Sequence, residues 1–371
     1  MVRLSPVRKP FSQFGDFPFT EGTPLPSVWK PKTGQEFEPK ILKSTEMNTE
    51  TPNIFSFATS ELSQDAMFAW LLQWASPKYA KADSDLHQIS QRFVRLLAGK
   101  DDSFPINSID VGRQWENIDI WAEINDDTFL VIEDKTGTSV HDDQLERYKA
   151  SVEREYNGKR TDLCYAYVKT SKEPRSVLRG IESSGFKTVT HSDILKCLDY
   201  YKGHDTLLLA FREHLQEIED SVLSYKTLPE KQWGWNAWQG FYKELESRID
   251  LDSWSYVANP SGGFLEAWWH FIDSQDCTMY LQFEQGKLCF KISYEGEEDR
   301  SEVRYKAHSK LLETAKLRYP EIRRPDRFGN GTYMTIAVVD EDLLFGVGIV
   351  DFDTLTLKLK EYESLINECC I

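Results

Sequence analysis

Hydrophobic and polar residues alternate along residues 109–135 in a pattern that predicts three consecutive β-strands. Ile118–Ile124 places an isoleucine or alanine at every second position, which is the repeat of a strand with one buried face. Thr128–Lys135 is a second run of strand-forming residues, and it ends in Glu-Asp-Lys. Ile109–Trp115 is the expected strand before them. The pattern therefore predicts a hairpin that follows one further strand.

The length of the turn in this hairpin decides which polar side chains meet. If residues 125–127, Asn-Asp-Asp, form a three-residue loop, Ile124 pairs with Thr128 and Asp119 lies opposite Glu133. A two-residue loop would put Asp119 opposite the following residue, on the other face, because a slip of one residue reverses sidedness. Asparagine and aspartate tolerate the left-handed backbone that such loops need. A shared site for Asp119 and Glu133 therefore requires the three-residue loop or an equivalent bulge.

Helices are predicted on both sides of these strands. Upstream, residues 61–74 are apolar nearly all round, which is typical of a buried helix, and Ser60 is placed to cap it. Residues 84–97 form a second, amphipathic helix. Downstream, residues 142–158 predict a helix between two breakers, and 163–169 predict a strand. The expected order is thus three strands, one helix and one more strand.

The polar residues at the open end of the hairpin have the chemistry of a metal site. Asp119 and Glu133 would repel each other unless a cation lay there, and oxygen-only ligands select a hard ion such as Mg²⁺ or Mn²⁺. Such an ion can hold a phosphate oxygen and lower the pKa of a bound water. Lys135, on the same face as Glu133, could orient that water or offset charge on the phosphate. The alternative is a solvated strand end with a surface Glu–Lys pair.

The spacing D-(x13)-E-x-K followed by Q-x-x-x-Y resembles the PD-(D/E)XK nuclease superfamily, in particular its RecB-like branch. Asp119, Glu133 and Lys135 match the catalytic motif of that superfamily. Gln144 and Tyr148, four residues apart on one helix face, match the downstream helix motif of the branch. An isoleucine stands where the motif has its proline, which is a frequent departure. The chain also resembles a prokaryotic subgroup that shares its S-E-L-S-Q-D-A segment and Trp-rich C-terminal half.

The resemblance implies an α/β, restriction-endonuclease-like core in which a mixed central sheet is flanked by helices. It implies an Mg²⁺- or Mn²⁺-dependent nuclease that hydrolyses phosphodiester bonds, of DNA before RNA, in phage defence, restriction or repair. Gln144 and Tyr148 are then substrate-binding residues. The family usually carries a glutamate near the metal on an upstream helix, and Glu61 is the candidate for it. The alternative for Glu61 is an acid that only stabilises the helix dipole.

Shifts in composition divide the chain into three predicted parts. Residues 1–52 form an irregular arm, 53–225 the nuclease-like domain and 226–371 a Trp-rich α+β domain. Further helices are predicted at 191–201, 205–223, 238–249, 304–319 and 355–366. Further strands are predicted at 268–272, 278–284, 288–294 and 333–339, and residues 341–350 predict a short helix or strand.

Composition and charge narrow the class of protein. The net charge of −16, from 44 basic and 60 acidic residues, argues against strong nonspecific binding to nucleic acid, although a local basic patch and metal ions can still hold one phosphate path. The sequence has neither the long apolar run of a membrane helix nor the apolar core of a signal peptide. Its six cysteines show no zinc spacing, so we expect reduced thiols in a cytoplasmic protein. Cys369 and Cys370, near the C-terminus, are expected to be exposed.

Two features keep other functions open. Residues 300–327 hold nine Lys or Arg and four acids, a net of +5, which indicates a solvated helix face or a second DNA-binding surface. Six of the 11 tryptophans lie within residues 233–269, where they fill a core or stack on bases. The alternatives to an active nuclease are a degenerate family member that only binds nucleic acid or protein, and a protein-interaction module. A homodimer would supply two sites for two strands.

Overall fold

The structure is a computed structural model that describes residues 52–137, 143–156, 162–259, 262–296 and 299–370. The arm predicted for residues 1–52 therefore lies outside the described residues, apart from Pro52. From Pro52 onward the chain forms one compact unit. Among the described helices, none combines the length and the hydrophobicity of a membrane span.

Two five-stranded sheets and the helices packed on them account for most of the described residues. The elements of the first half are α1 Glu61–Gln73, α2 Ser84–Ala98, β1 Ile109–Trp115, β2 Ile118–Ile124, β3 Thr128–Lys135, α3 Gln144–Tyr156, β4 Asp162–Lys169, α4 Arg175–Ser183, β5 Lys187–Thr190, α5 His191–Leu198 and α6 Thr206–Leu223. The elements of the second half are α7 Trp235–Leu245, β6 Leu251–Val257, β7 Phe264–Asp273, β8 Thr278–Glu284, β9 Lys287–Ser293, α8 Arg300–Ala315, β10 Tyr333–Val339, α9 Glu341–Phe345 and α10 Phe352–Cys370.

The first sheet is mixed and has helices on both faces. Its order is β1-β2-β3-β4-β5, antiparallel from β1 to β3 and parallel from β3 to β5. The core on one face joins the sheet to α1, α2, α5 and α6, and the core on the other face joins it to α3 and α4. β3 is buried along its whole length because both of its faces are covered. The predicted restriction-endonuclease-like α/β core is confirmed.

The hairpin of β2 and β3 has the three-residue loop. Ile124 pairs with Thr128 and Ile120 with Ile132, so residues 125–127 form the turn. Asn125 has a positive φ of 54°, which asparagine tolerates, and its side-chain oxygen accepts the amide of Asn107 at 2.8 Å. The register that sets Asp119 toward Glu133 is therefore the observed one.

Helix α1 begins as predicted, but it is less buried than its composition suggests. The hydroxyl of Ser60 accepts the amide of Ser63, which caps the helix. Met67, Phe68 and Leu71 are buried against the sheet, whereas Leu62 is 59% exposed. The prediction of a helix buried nearly all round was wrong for its first turn, which reaches solvent at the end of the sheet.

The second sheet is antiparallel throughout, in the order β10-β9-β8-β7-β6. One large core joins it to α7, α8 and α10, and five of the six clustered tryptophans are buried; Trp235 is the exposed one. The interpretation of these residues as core is confirmed for the five buried tryptophans. Cys369 is also buried in this core, at 1% exposure, so its predicted exposure was wrong: α10 continues to Cys370 and carries Cys369 on its buried face.

Three short elements were missed and several ends were misplaced. The missed elements are α4, β5 and β6, and α7 and α8 each begin a few residues before the predicted start. β7 and α10 are longer than predicted.

The hydrophobic cores of the two halves divide between Leu215 and Tyr225, which is compatible with a domain boundary at residue 225. The three-part division itself stays a prediction.

The basic run of residues 300–327 is partly neutralised by its neighbours. Arg323 forms hydrogen bonds with Asp340 at 2.7 Å, and Arg318 is paired with Glu368. Arg304 is 8% exposed and stacks over Phe328. Paired arginines hold a fixed geometry and have less free charge for a phosphate backbone, so these contacts favour the structural interpretation of the run.

Helix α7 of the second half holds the connection between β4 and α4. The Gln239 side chain accepts the amide of Lys172 at 3.3 Å, and the Lys243 ammonium donates to the carbonyl of Glu173 at 3.1 Å. Glu246, just after α7, accepts the amide of Arg175 at 2.8 Å. These contacts satisfy backbone groups that the sheet and α4 leave free.

We expect Glu246→Ala to destabilise the fold by about 2–4 kcal/mol, because it removes the acceptor of the Arg175 amide and of the Trp254 indole in a buried place. Urea unfolding of the full chain measures this. The matched control is Glu302→Ala on α8, which loses an exposed ion pair with Lys306 and should cost less than about 1 kcal/mol. Equal losses in the two variants would contradict the importance of this contact.

Candidate active site at the open end of the β2–β3 hairpin

Strands β2 and β3 separate where Asp119 lies. Their ladder ends at the pair Ile120–Ile132. Beyond it, the amide of Asp134 donates to Oδ2 of Asp119 at 3.1 Å. A carboxylate therefore replaces a backbone carbonyl as the acceptor for this amide. The bond fixes Asp119 beside the last three residues of β3, which contain the E-x-K motif.

Glu133 is fully buried and its two carboxylate oxygens differ. Oε1 lies 2.5 Å from the Nζ of Lys135 and accepts the side-chain amide of Gln144 at 2.7 Å. Oε2 has no hydrogen-bond partner within the part of the chain that the structure describes. Burial and the nearby carboxylate of Asp119 raise the pKa of Glu133 to about 7. A cation at Oε2 would remove this electrostatic cost.

Lys135 stays charged in this surrounding. Burial lowers the pKa of Lys135, but its hydrogen bond to Glu133 and the negative charges of Glu133, Asp119 and Glu61 more than offset burial. The pKa of Lys135 is therefore above its ordinary value. The ammonium lies among three carboxylates and can act as a hydrogen-bond donor and a fixed positive charge.

The downstream helix supplies the contact that orients Glu133. The Gln144 side chain donates both to Glu133 and to the hydroxyl oxygen of Tyr148, the latter at 2.6 Å. Tyr148 is 4% exposed, and burial raises its pKa, so its hydroxyl keeps its proton. The four-residue spacing places both side chains on the face of α3 that packs on β3.

Glu61 reaches the same end of the sheet from α1. Its Oε1 accepts the amide of Thr136, the residue after Lys135, at 3.1 Å. The structure thus brings all six predicted site residues into one neighbourhood: Glu61, Asp119, Glu133, Lys135, Gln144 and Tyr148. Whether each has its predicted role stays a prediction.

The donor set fits a hard divalent cation. Within the described residues, no three Asp, Glu, His or Cys side chains gather closely enough to complete a metal cage. Mg²⁺ does not need such a cage, because it is commonly held by one or two carboxylates with water and phosphate oxygens. Asp119 and Glu133 supply the two carboxylates, and the unpartnered Oε2 of Glu133 is an oxygen that such an ion would satisfy.

Sequence reasoning missed a second polar layer under the site. The Gln64 side chain donates to the carboxylate of Asp134 at 2.6 Å, and both residues are buried together with Asp65. Burial raises the pKa of Asp134 well above its usual range, and burial with the charge of Asp119 raises that of Asp65 to about 6. Polar residues inside an otherwise apolar helix were the available signal, since a buried polar group needs a partner.

Comparisons with known proteins give one finding. Residues 52–227 match the family model of the PD-(D/E)XK nuclease superfamily. No curated protein and no solved structure was found to match the chain. The matched range contains the whole first sheet, α1 to α6 and all six predicted site residues.

The raised pKa of Glu133 makes stability depend on pH. In the unfolded chain this carboxyl titrates near 4.5, whereas in the fold it titrates near 7, so the folded state binds the proton more tightly. The ionised form therefore destabilises the fold: the cost is absent below about pH 4.5, grows as pH rises and is complete above about pH 7, at most about 3 kcal/mol.

We expect Glu133→Gln to remove this cost, because glutamine mimics the protonated carboxyl. With a chelator present, the variant should exceed the parent protein in free energy of unfolding at pH 8, and the difference should vanish near pH 4.5. Urea unfolding across this pH range measures it. Glu116→Gln, an exposed residue of the β1–β2 turn, is the control. Parallel pH profiles for the parent and Glu133→Gln would contradict the assignment.

Proposed function

We propose, from the membership of residues 52–227 in the PD-(D/E)XK nuclease superfamily, that this protein is a metal-dependent nuclease that hydrolyses phosphodiester bonds of DNA. One observation supports the proposal above the others. Asp119 and Glu133 lie together at the end of the sheet, with a buried carboxylate oxygen unpartnered among the described residues and a lysine bound to the other oxygen. The RecB-like branch stays a prediction, supported by the contacts of Gln144.

Asp119 and Glu133 are the residues that would hold the cation, Mg²⁺ or Mn²⁺, with Glu61 as a third carboxylate nearby. When bound, the cation supplies charge neutralisation at a phosphate oxygen and makes a water molecule more acidic. Asp119 is held for this role by the Asp134 amide, and Glu61 by the Thr136 amide. Both contacts come from the backbone of the E-x-K segment and its neighbour, so the three carboxylates are positioned by one stretch of chain.

Lys135 provides the positive charge that the reaction needs. Its ammonium remains protonated at neutral pH, so it can donate a hydrogen bond to the attacking water or to a phosphate oxygen. It can also offset the negative charge that develops on the phosphate during hydrolysis. Its contact with Glu133 Oε1 keeps this ammonium next to the oxygens that would bind the cation.

Gln144 positions the Glu133 carboxylate by donating to Oε1, and Oε2 has no partner among the described residues. Tyr148 keeps Gln144 in place from one helical turn further on. Their predicted role in binding substrate is compatible with these contacts, because a strand that reaches Glu133 also passes Gln144. A degenerate protein that only binds is disfavoured, since Asp119, Glu133 and Lys135 are all present and close together.

Cleavage of plasmid and of linear single- and double-stranded DNA is the direct test. We expect cleavage with Mg²⁺ or Mn²⁺ and none with a chelator. Asp119→Asn should abolish it, and Lys135→Met should slow it by about 10²- to 10³-fold, because a fixed donor to the developing charge is lost. Arg212→Gln, which changes a surface ion pair with Asp199, is the control and should cut normally. Undiminished cleavage by Asp119→Asn and Lys135→Met would contradict the assignment of these residues to the active site.

Metal binding has a readout that does not depend on cleavage. We expect Mn²⁺ to raise the melting temperature of the parent protein, because a ligand that binds only the folded state stabilises it. The shift should be lost in Glu133→Gln, although that variant is the more stable of the two without metal at pH 8. An equal Mn²⁺ shift in both proteins would show that the ion binds elsewhere.

Gln144→Leu separates positioning from substrate binding. If Gln144 orients Glu133, the variant should need more Mn²⁺ for half-maximal cleavage and should lose kcat, while KM for DNA changes little. Metal titrations of the cleavage rate at saturating DNA measure this. A rise in KM alone, with an unchanged metal requirement, would show instead that Gln144 acts on the substrate.

A further inference from the structure

Arg113 on β1 carries a guanidinium whose donors are poorly used. An arginine has five N–H donors. Nη2 of Arg113 donates to the carbonyl of Leu62 at 3.1 Å and lies 3.6 Å from Oδ2 of Asp65, which is beyond hydrogen-bond distance. Nε is buried and has no hydrogen-bond partner among the described residues. The side chain is 32% exposed, so part of it reaches solvent.

The position of Arg113 is beside the candidate active site. Leu62, whose carbonyl it contacts, follows Glu61 in the first turn of α1. In the β1–β2 ladder Arg113 pairs with Ile120, the neighbour of Asp119. The backbone of Arg113 therefore lies on the far side of β2 from β3, and its guanidinium reaches the first turn of α1.

The ion pair with Asp65 does not fully account for Arg113. Burial and Asp119 raise the pKa of Asp65 to about 6 even though Arg113 acts in the opposite direction. A well-formed arginine–carboxylate pair uses two parallel hydrogen bonds of about 2.8 Å, and this pair has neither. Arg113 is thus held near Asp65 by an incomplete pair, with Nε unpartnered among the described residues and part of the side chain open to solvent.

The negative charge of the protein and of the site bears on the role of Arg113. The protein has a net charge of −16, and the site itself holds several carboxylates, so an approaching phosphate backbone meets negative potential. The ammonium of Lys135 is engaged by Glu133 at 2.5 Å. A strand crossing Asp119 would need a further cation, and the planar fork of an arginine matches two phosphate oxygens.

We propose that Arg113 binds a phosphate of the nucleic-acid strand next to the bond that is cut. It would be a substrate-binding residue outside the D-E-x-K and Q-x-x-x-Y positions. The proposal rests on the proposed nuclease function and adds the path of the substrate: the strand runs from Asp119 across β1 to the first turn of α1, where Leu62 is exposed.

Binding of a labelled DNA oligonucleotide to the full chain, measured by fluorescence anisotropy with chelator present, tests this without cleavage. We expect Arg113→Gln to weaken binding about tenfold, irrespective of sequence, and to reduce the slope of log affinity against log salt by about one, as for the loss of one phosphate contact. Arg113→Lys should recover part of the affinity, because it keeps the charge and loses the fork. Arg154→Gln on α3, an exposed arginine near Glu116, is the matched control and should bind as the parent does.

Removal of Arg113 alone leaves Asp65 with less compensation, so folding is checked by melting temperature. Asp65→Asn/Arg113→Gln removes both charges together and should show the same loss of affinity and of salt slope. Parent-like affinity and slope in the folded single and double variants would overturn the role of Arg113 while leaving the nuclease proposal intact. A parent protein that neither binds nor cuts DNA would overturn both.

Discussion

The candidate site depends on one hydrogen bond of the first sheet that joins a backbone amide to a side chain. Where β2 leaves β3, the amide of Asp134 is satisfied by the side chain of Asp119 rather than by a carbonyl. An unsatisfied buried amide is costly, so the departure of the strand and the identity of residue 119 depend on each other. The bond holds the Asp119 carboxylate beyond the last backbone pair of the hairpin, Ile120–Ile132. The negative charge of Asp119 helps to raise the pKa of Glu133 on one face of the sheet. It does the same for Asp65 and Asp134 on the other face.

The electrostatics of this region oppose the stability of the fold. Glu133 and Asp134 are buried neighbours on one strand, and each has a carboxylate oxygen without a hydrogen-bond partner among the described residues. Lys135 and Gln144 donate hydrogen bonds to the carboxylate of Glu133, and Gln64 donates one to the carboxylate of Asp134. Such an arrangement is typical of a functional site, where a bound ion or substrate supplies the missing partner. The rest of the domain, with both sheet faces covered by helices, provides the stability that makes this tolerable.

The parts of the fold that the sequence predicts well are those set by local pattern. The alternation in β2, the three-residue loop and the four-residue step from Gln144 to Tyr148 involve neighbours in the chain, and all appear as predicted. Glu61 was placed by resemblance, and its contact with Thr136 spans 75 residues. The contacts of Gln64 with Asp134 and of Arg113 with Leu62 could not be predicted, because no periodicity shows which residues of α1 face β3 and β1. The burial of Cys369 was missed for the same reason: position along the chain does not show where a terminal helix packs.

The hydrogen bonds from α7 to the connection after β4 bear on how far the two halves of the protein depend on each other. Lys169, in register with Lys135 on the neighbouring strand, forms a buried pair with Glu173 at 2.8 Å, and Glu173 belongs to the connection that Lys243 contacts. A different C-terminal partner would have to bring its own acceptors and donors for that same stretch of backbone, at the same spacing. The Trp-rich half therefore contributes hydrogen bonds that complete the structure of the first half. Loss of the Trp-rich half would leave the amides of Lys172 and Arg175 and the carbonyl of Glu173 without these partners, so we expect the two halves to depend on each other for folding.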